Sequence, residues 1–306
     1  LTPNMLSDAE WDELVRCVKI QFGRFRIVVT DQEPAAGDYV EAAIAGTPDE
    51  IGFGPGVGGV APFTCDIIET AVVYTFAGVY PGNPRGQCET TAQEVAHAFG
   101  LDHEFYCTDP MTYLDGCGDK WFQDVAVPCG EYSARTCLCG AATQNSVVLL
   151  RDRLGVGELE PPVVTITSPA DGATVPHEFT IEVDVSDNYL LYYVEFWIDG
   201  QLVRTVEQPP FTMNTAAPVA NHTLEVRAYD AAFNMGADSA TVTIMPECSV
   251  PADCAARGEN LVCTDSLCVG GLGAVCVNQA DCDTDLFCAQ ENGENGFGGA
   301  RLLQFG

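Results

Sequence analysis

The segment TTAQEVAHAFGLDHEFYCTDPMTY, Thr90 to Tyr113, carries two of the chain's four histidines, His97 and His103. Read as a helix through Ala92–Phe99, it sets Gln93 and His97 four residues apart and so on one face, with Glu94 beside them. Gly100 can take a positive φ and turn the chain sharply, which brings His103 back toward that face. An amide, two imidazoles and a carboxylate converging on one point can bind a cation and move protons. His177 and His222 have no such company and read as structural.

Glu94, His97, Gly100 and His103 spell E-x-x-H-x-x-G-x-x-H, and Met111 follows eight residues after His103. The pattern resembles the metzincin signature HExxHxxGxxH with its methionine turn. The likeness covers roughly residues 1–150 and is strongest over 89–115. It implies a metzincin-like metallopeptidase domain of mixed helix and strand. It further implies Zn2+ held by Gln93, His97 and His103, Glu94 as catalytic general base, Met111 beneath the metal, and a protein or peptide substrate. The departure is Gln93, where the signature has histidine. An amide oxygen is a neutral, hard donor and suits zinc less well than imidazole, so weaker metal binding is expected. Asp102, Glu104 and Asp109 are other sources of a third ligand, and Asp102 ranks low because it points away if His103 points in. Two readings follow. One is a secreted metal-dependent endopeptidase with a weakened site. The other is a catalytically inactive, metzincin-like structural or adhesive protein that self-assembles outside the cell.

The elements that must position these groups are partly legible. Ser7 can cap a helix whose first turn holds Asp8 and Glu10, followed by Trp11, Leu14, Val15, Val18 and Ile20 at helical spacing. FRIVVT (Phe25–Thr30), Tyr39–Ile44 and Ala71–Phe76 read as strands. The glycine-rich run GFGPGVGGVAP between the last two lacks a phosphate-loop lysine and reads as a surface connection.

Three compositional zones divide the chain. Residues 1–157, with eight cysteines, form the metzincin-like zone. Residues 161–246 have no cysteine; alternating runs such as FTIEVDVSD and HTLEVRAYD, with an Asp199-Gly200 turn signal, point to an all-β sandwich resembling secreted bacterial immunoglobulin-like domains. Residues 247–290 hold seven cysteines in a repeat, CSVPADC and CVNQADC, which reads as two small disulfide knots. Gly293 stands where the second repeat would have its fourth cysteine, so one cysteine is left over. Residues 291–306 read as a flexible tail. The fold class is therefore multidomain: metzincin-like α+β, all-β sandwich and disulfide-rich repeats.

Fifteen cysteines without a paired CxxC zinc framework argue for disulfides and an oxidising compartment, secreted or at the cell surface. The eight in the first zone are expected to pair among themselves. LTPNMLSDAEWDEL has no basic or apolar leader pattern and reads as a processed start. A net charge of −31 repels nucleic acid and anionic lipid, and no apolar window is long enough to span a membrane. Such a surface suits salty or calcium-rich surroundings, which makes Ca2+ a second candidate ion.

Overall fold

The computed structural model describes residues 1–249 apart from Ala36, and beyond them Cys254 and the segments 261–264, 266–270, 275–276, 286–289 and 300–304. It divides into two units, Leu1–Pro161 with Asn188–Tyr192 and Tyr229–Asn234, and Pro162–Asp187 with Tyr193–Ala228 and Met235–Gly306.

In the first unit α1 runs Asp8–Phe22. Its start is a capping box. The Ser7 hydroxyl accepts from the Glu10 amide, and the Glu10 carboxylate accepts from the Ser7 amide at 2.8 Å. A short sheet follows, of β1 (Glu41–Ile44), β2 (Gly59–Val60) and β3 (Val72–Thr75), in the order β1-β3-β2. β1 lies parallel to β3 and β2 antiparallel to it. α2 runs Pro84–Ala98, capped by Asn83, whose side chain accepts from the Gly86 amide at 2.9 Å. Pro84 at its first position gives up an amide that would have had no partner there. The motif helix thus starts two turns before Ala92. α3 spans Ser146–Leu154.

The core of this unit joins Leu14, Val18 and Phe22 of α1, Val73 of β3, Ala92 and Ala96 of α2, and Val147 and Leu150 of α3. Phe22, Phe25 and Phe122 meet edge to face with centroids 5.4–6.3 Å apart. All eight cysteines of the zone pair inside it: Cys17–Cys88, Cys65–Cys139, Cys107–Cys117 and Cys129–Cys137. The first ties α1 to α2.

FRIVVT is not a strand. Phe25 makes one isolated bridge to Val156, and residues 26–30 join no ladder. Its alternation is still real, because Ile27 and Val29 pack on the core while Val28 is 86 % exposed. Alternation reports which side chains are buried; it does not supply a neighbour to hydrogen-bond with.

The second unit contains β4 (Val163–Ser168), β5 (Ala173–Val175), β6 (Glu178–Ser186), β7 (Leu191–Ile198), β8 (Gln201–Val206), β9 (Thr212–Ala216), β10 (Asn221–Asp230) and β11 (Met235–Ile244), β7 and β10 each giving a few terminal residues to the first unit. They form two sheets, β5-β11-β10-β7-β8 and β4-β6-β9. Ile181, Val194, Phe196, Met213, Leu224, Val226 and Val242 are buried. β7 and β8 are joined at Asp199 and Gly200, with φ of 50° and 74°, the paired positive φ of a type I′ hairpin. β5 and β9 are too short to announce themselves in the sequence.

Further on, β12 (Leu261–Thr264) and β13 (Leu267–Gly270) pair antiparallel, with bridges Cys248–Cys263 and Cys254–Cys268. β14 (Val275–Cys276), β15 (Leu286–Ala289) and β16 (Ala300–Gln304) form a small sheet. Ala300–Gln304 is therefore a strand inside the stretch read as a tail, and the rest of that stretch lies outside the described residues. So does the pairing of the leftover cysteine. Among the described residues, no helix is long and apolar enough to cross a membrane.

Candidate functional site

α2 carries Gln93, Glu94 and His97 on its buried side, at 8 %, 5 % and 9 % exposure. The helix stops at Phe99 because Gly100 takes φ +83°. A side chain could not sit there easily, since a Cβ would lie 3.2 Å from the Cys65 carbonyl as well as in a left-handed conformation. The turn returns His103 to the helix. The Nε2 atoms of His97 and His103 lie 3.0 Å apart, and the two rings meet edge to face with centroids 4.6 Å apart.

The tautomers follow from the partners on the other side of each ring. His97 Nδ1 is 2.7 Å from the Leu101 carbonyl, which can only accept, so Nδ1 carries the proton. His103 Nδ1 is 3.1 Å from a Glu131 carboxylate oxygen, with the same consequence. In the neutral rings both Nε2 lone pairs then face each other. Burial and the neighbouring His103 push His97 down to about 4, so it stays neutral at ordinary pH. A contact of 3.0 Å between the two is filled either by a proton on one of them or by a cation against both. Zinc bonds of about 2.0–2.1 Å at a tetrahedral angle hold two imidazole nitrogens roughly 3.3 Å apart, close to the observed spacing.

Gln93 lies one turn before His97, and its side-chain nitrogen is buried without a hydrogen-bond partner. Amide nitrogen and oxygen have nearly the same shape, and turning the amide over presents the oxygen at the orphaned position. Two imidazole nitrogens at this spacing, with an unpartnered buried amide one helical turn away, are donor types that suit a zinc-sized cation. Burial raises Glu94 to about 8. The Asp102 carboxylate lies within 4.8 Å of ligand atoms of His103 and Glu131, but it is taken up by two Arg135 guanidinium nitrogens at 2.6 and 2.8 Å. Glu104 and Asp109 are fully buried below, beside Ser146, and their bonds hold the turn together. The Glu104 amide donates to the Met111 carbonyl at 2.7 Å, and the Met111 amide donates to Asp109 at 2.9 Å. Met111 itself is completely buried. Outside the cluster, His177 bonds the Ala217 carbonyl, and His222 bonds Asp199 and the Pro218 carbonyl, as structural histidines do.

Four contributors were not singled out from the sequence. Glu131 is one. Tyr113 is another, its ring 4.4 Å from that of His103. Phe63 meets the His97 ring edge to face at 6.0 Å. The fourth is Gly59 of β2, where an added Cβ would fall 2.6 Å from Glu94 Cγ and 2.7 Å from the Tyr74 carbonyl. The glycine-rich run is thus more than a surface connection: it lays bare backbone across Glu94.

Residues 162–226 match the bacterial Ig domain family, which supports an immunoglobulin-like sandwich in that part of the second unit. No curated protein matches the chain in sequence. Among solved structures, the chain is similar to fibronectin(III)-like modules of CbhA from Clostridium thermocellum, at 23 % identity and TM-score 0.27, over 29 % of this chain and 50 % of that one. It is also similar to SGBP-B of the Bacteroides ovatus mixed-linkage glucan utilization locus, seen with a mixed-linkage heptasaccharide, at 15 % identity and TM-score 0.24, over 29 % and 26 % of the two chains. The chain thus spans half or less of these two proteins, and TM-scores this low carry no argument about function. The disulfides and the Ig-like domain are together consistent with an extracellular or cell-surface protein.

Proposed function

We propose that the chain is a secreted metal-dependent endopeptidase of metzincin type, built as a catalytic domain over 1–157, an immunoglobulin-like domain over 161–246 and cysteine-rich repeats from 247 onward. One observation supports it most: the Nε2 atoms of His97 and His103 face each other at 3.0 Å, each ring held from behind by an oxygen acceptor. His97, His103 and Gln93 would hold Zn2+, which when bound polarises water and the substrate carbonyl. Glu94 in its ionised form would take the proton of the attacking water and return it to the leaving amine; burial by itself holds that form back until about pH 8, and a bound cation would favour it at lower pH. The bare backbone of Gly59 leaves Glu94 room to do so.

The immunoglobulin-like domain favours a second reading, an inactive extracellular structural or adhesive protein that self-assembles. Peptide hydrolysis with and without added zinc separates the two. In a peptidase, Glu94→Ala removes about 10²–10⁴-fold of the rate and keeps the metal. Gln93→His binds zinc more tightly, because imidazole replaces an amide. Activity confined to Gln93→His identifies an inactive natural site, and wild-type activity that survives Glu94→Ala rules out the mechanism.

A further inference from the structure

His103 is held at its backbone and at its ring by one small loop. Cys129 and Cys137 close it with a disulfide, and inside it the Arg135 amide donates to the Cys129 carbonyl at 2.7 Å. The Gly130 amide donates to the His103 carbonyl at 2.9 Å. The Glu131 carboxylate accepts from His103 Nδ1 at 3.1 Å. Arg135 then locks Glu131, its Nη2 donating to Glu131 Oε1 at 2.7 Å. The same guanidinium grips Asp102 with two nitrogens. Asp102 is 2 % exposed, and its two oxygens also accept from the His103 amide at 2.8 Å and the Leu138 amide at 2.7 Å.

We infer that Glu131 and Arg135 are positioning residues for His103, and that the Cys129–Cys137 loop sets its tautomer and ring orientation for metal binding. This rests on the metal-site reading above. The physical reason is that a histidine binds a cation through Nε2 only when the proton is on Nδ1, and an acceptor at Nδ1 enforces that. Glu131 supplies the acceptor. Arg135 holds Glu131 in place, its Nη2 donating to Glu131 Oε1 at 2.7 Å. Asp102, anchored by backbone amides, holds Arg135 in turn. A loop serving only as a surface staple would have no reason to aim a carboxylate at the far nitrogen of this ring.

The test uses the full-length protein with Glu131→Ala, Glu131→Gln and Arg135→Ala. Long-range ¹H–¹⁵N spectra of the imidazoles, recorded without metal, report the His103 tautomer. Competition with a chromophoric chelator reports Zn2+ affinity, and thermal unfolding shows that each variant is folded. Wild type and Glu131→Gln, whose amide oxygen still accepts, keep Nδ1–H. Glu131→Ala shifts His103 toward Nε2–H and lowers zinc affinity about 10–100-fold, with Arg135→Ala between them. An unchanged tautomer in Glu131→Ala overturns the inference, whatever the metal does. A tautomer that responds in a wild-type protein with no zinc affinity overturns the metal reading instead and leaves the positioning by Glu131 standing. Should Glu131→Ala not fold, a Glu131→Gln variant with Nε2–H overturns the inference on its own.

Discussion

Glu104 is a carboxyl group with no exposure, one satisfied oxygen and one orphan. Its Oε1 accepts from Gln144 at 3.1 Å and Ser146 at 2.9 Å, while Oε2 has no partner. Burial, with the Asp109 carboxylate beside it, raises it to about 8, and burial raises Asp109 to about 6. The folded protein therefore holds protons that the unfolded chain gives up near the ordinary carboxyl value. Stability falls as pH rises from about 4.5 through about 8, because in that window the unfolded state binds fewer protons. Glu104→Gln keeps the oxygen that accepts and fills the orphan position with a neutral group. Thermal unfolding across this range should show the decline in wild type and a flatter profile in Glu104→Gln, which at pH 8 gains on the order of 2 kcal/mol. Parallel profiles would mean that Glu104 is not protonated in the folded state.

Among the elements, β2 has the least freedom to vary. It is two residues long, antiparallel to β3 at the edge of the sheet, and passes over Glu94 with no side chain at Gly59. Gly59→Ala puts a methyl group within 2.6 Å of Glu94 Cγ and 2.7 Å of the Tyr74 carbonyl. The backbone oxygen cannot yield, so the strand shifts or Glu94 is pushed aside. We expect a stability loss of about 1–3 kcal/mol. We also expect a drop in hydrolysis larger than that of an alanine at Val60, next along the same strand. Equal rates for the two variants would show that β2 does not constrain Glu94. α2 is constrained differently: Cys88 fastens it to α1, and the Thr91 hydroxyl, while donating to the Gln87 carbonyl, meets Thr75 Oγ1 of β3 at 2.8 Å.

At the scale of the whole molecule, charge is the dominant property. With 44 acidic against 13 basic residues, the surface attracts cationic peptides and repels acidic ones. Near the histidine pair Glu131 adds to that field, held well below the ordinary carboxyl range, to about 2, by Arg135 and by His103. The rate of hydrolysis at low substrate concentration should therefore fall with added salt for a lysine-rich peptide, by roughly tenfold between low and high ionic strength. For a glutamate-rich peptide of equal length it should stay level or rise. Identical salt profiles for the two peptides would show that the net charge does not steer substrate.

Several features were legible in the sequence because their causes are local. The capping pair Ser7 and Glu10 are three residues apart, Gln93 and His97 are one helical turn apart, and Asp199-Gly200 is a turn within two residues. The alternation of β6 and β10 likewise marks one buried face at period two. Such signals act through the backbone of one segment, so the chain alone determined α1, the motif helix, its glycine stop and most strands of the sandwich. Partners brought together from afar were not legible. Cys17 meets Cys88 across 71 residues, one outcome among on the order of a hundred pairings. Glu131 reaches His103 across 28 residues, and in so acidic a chain nothing marks that glutamate from the others. Gly59 matters only because Glu94 lies under it, and FRIVVT has the pattern of a strand but no neighbour to pair with. Those facts depend on which surfaces meet after the chain closes, and only the tertiary structure decides that.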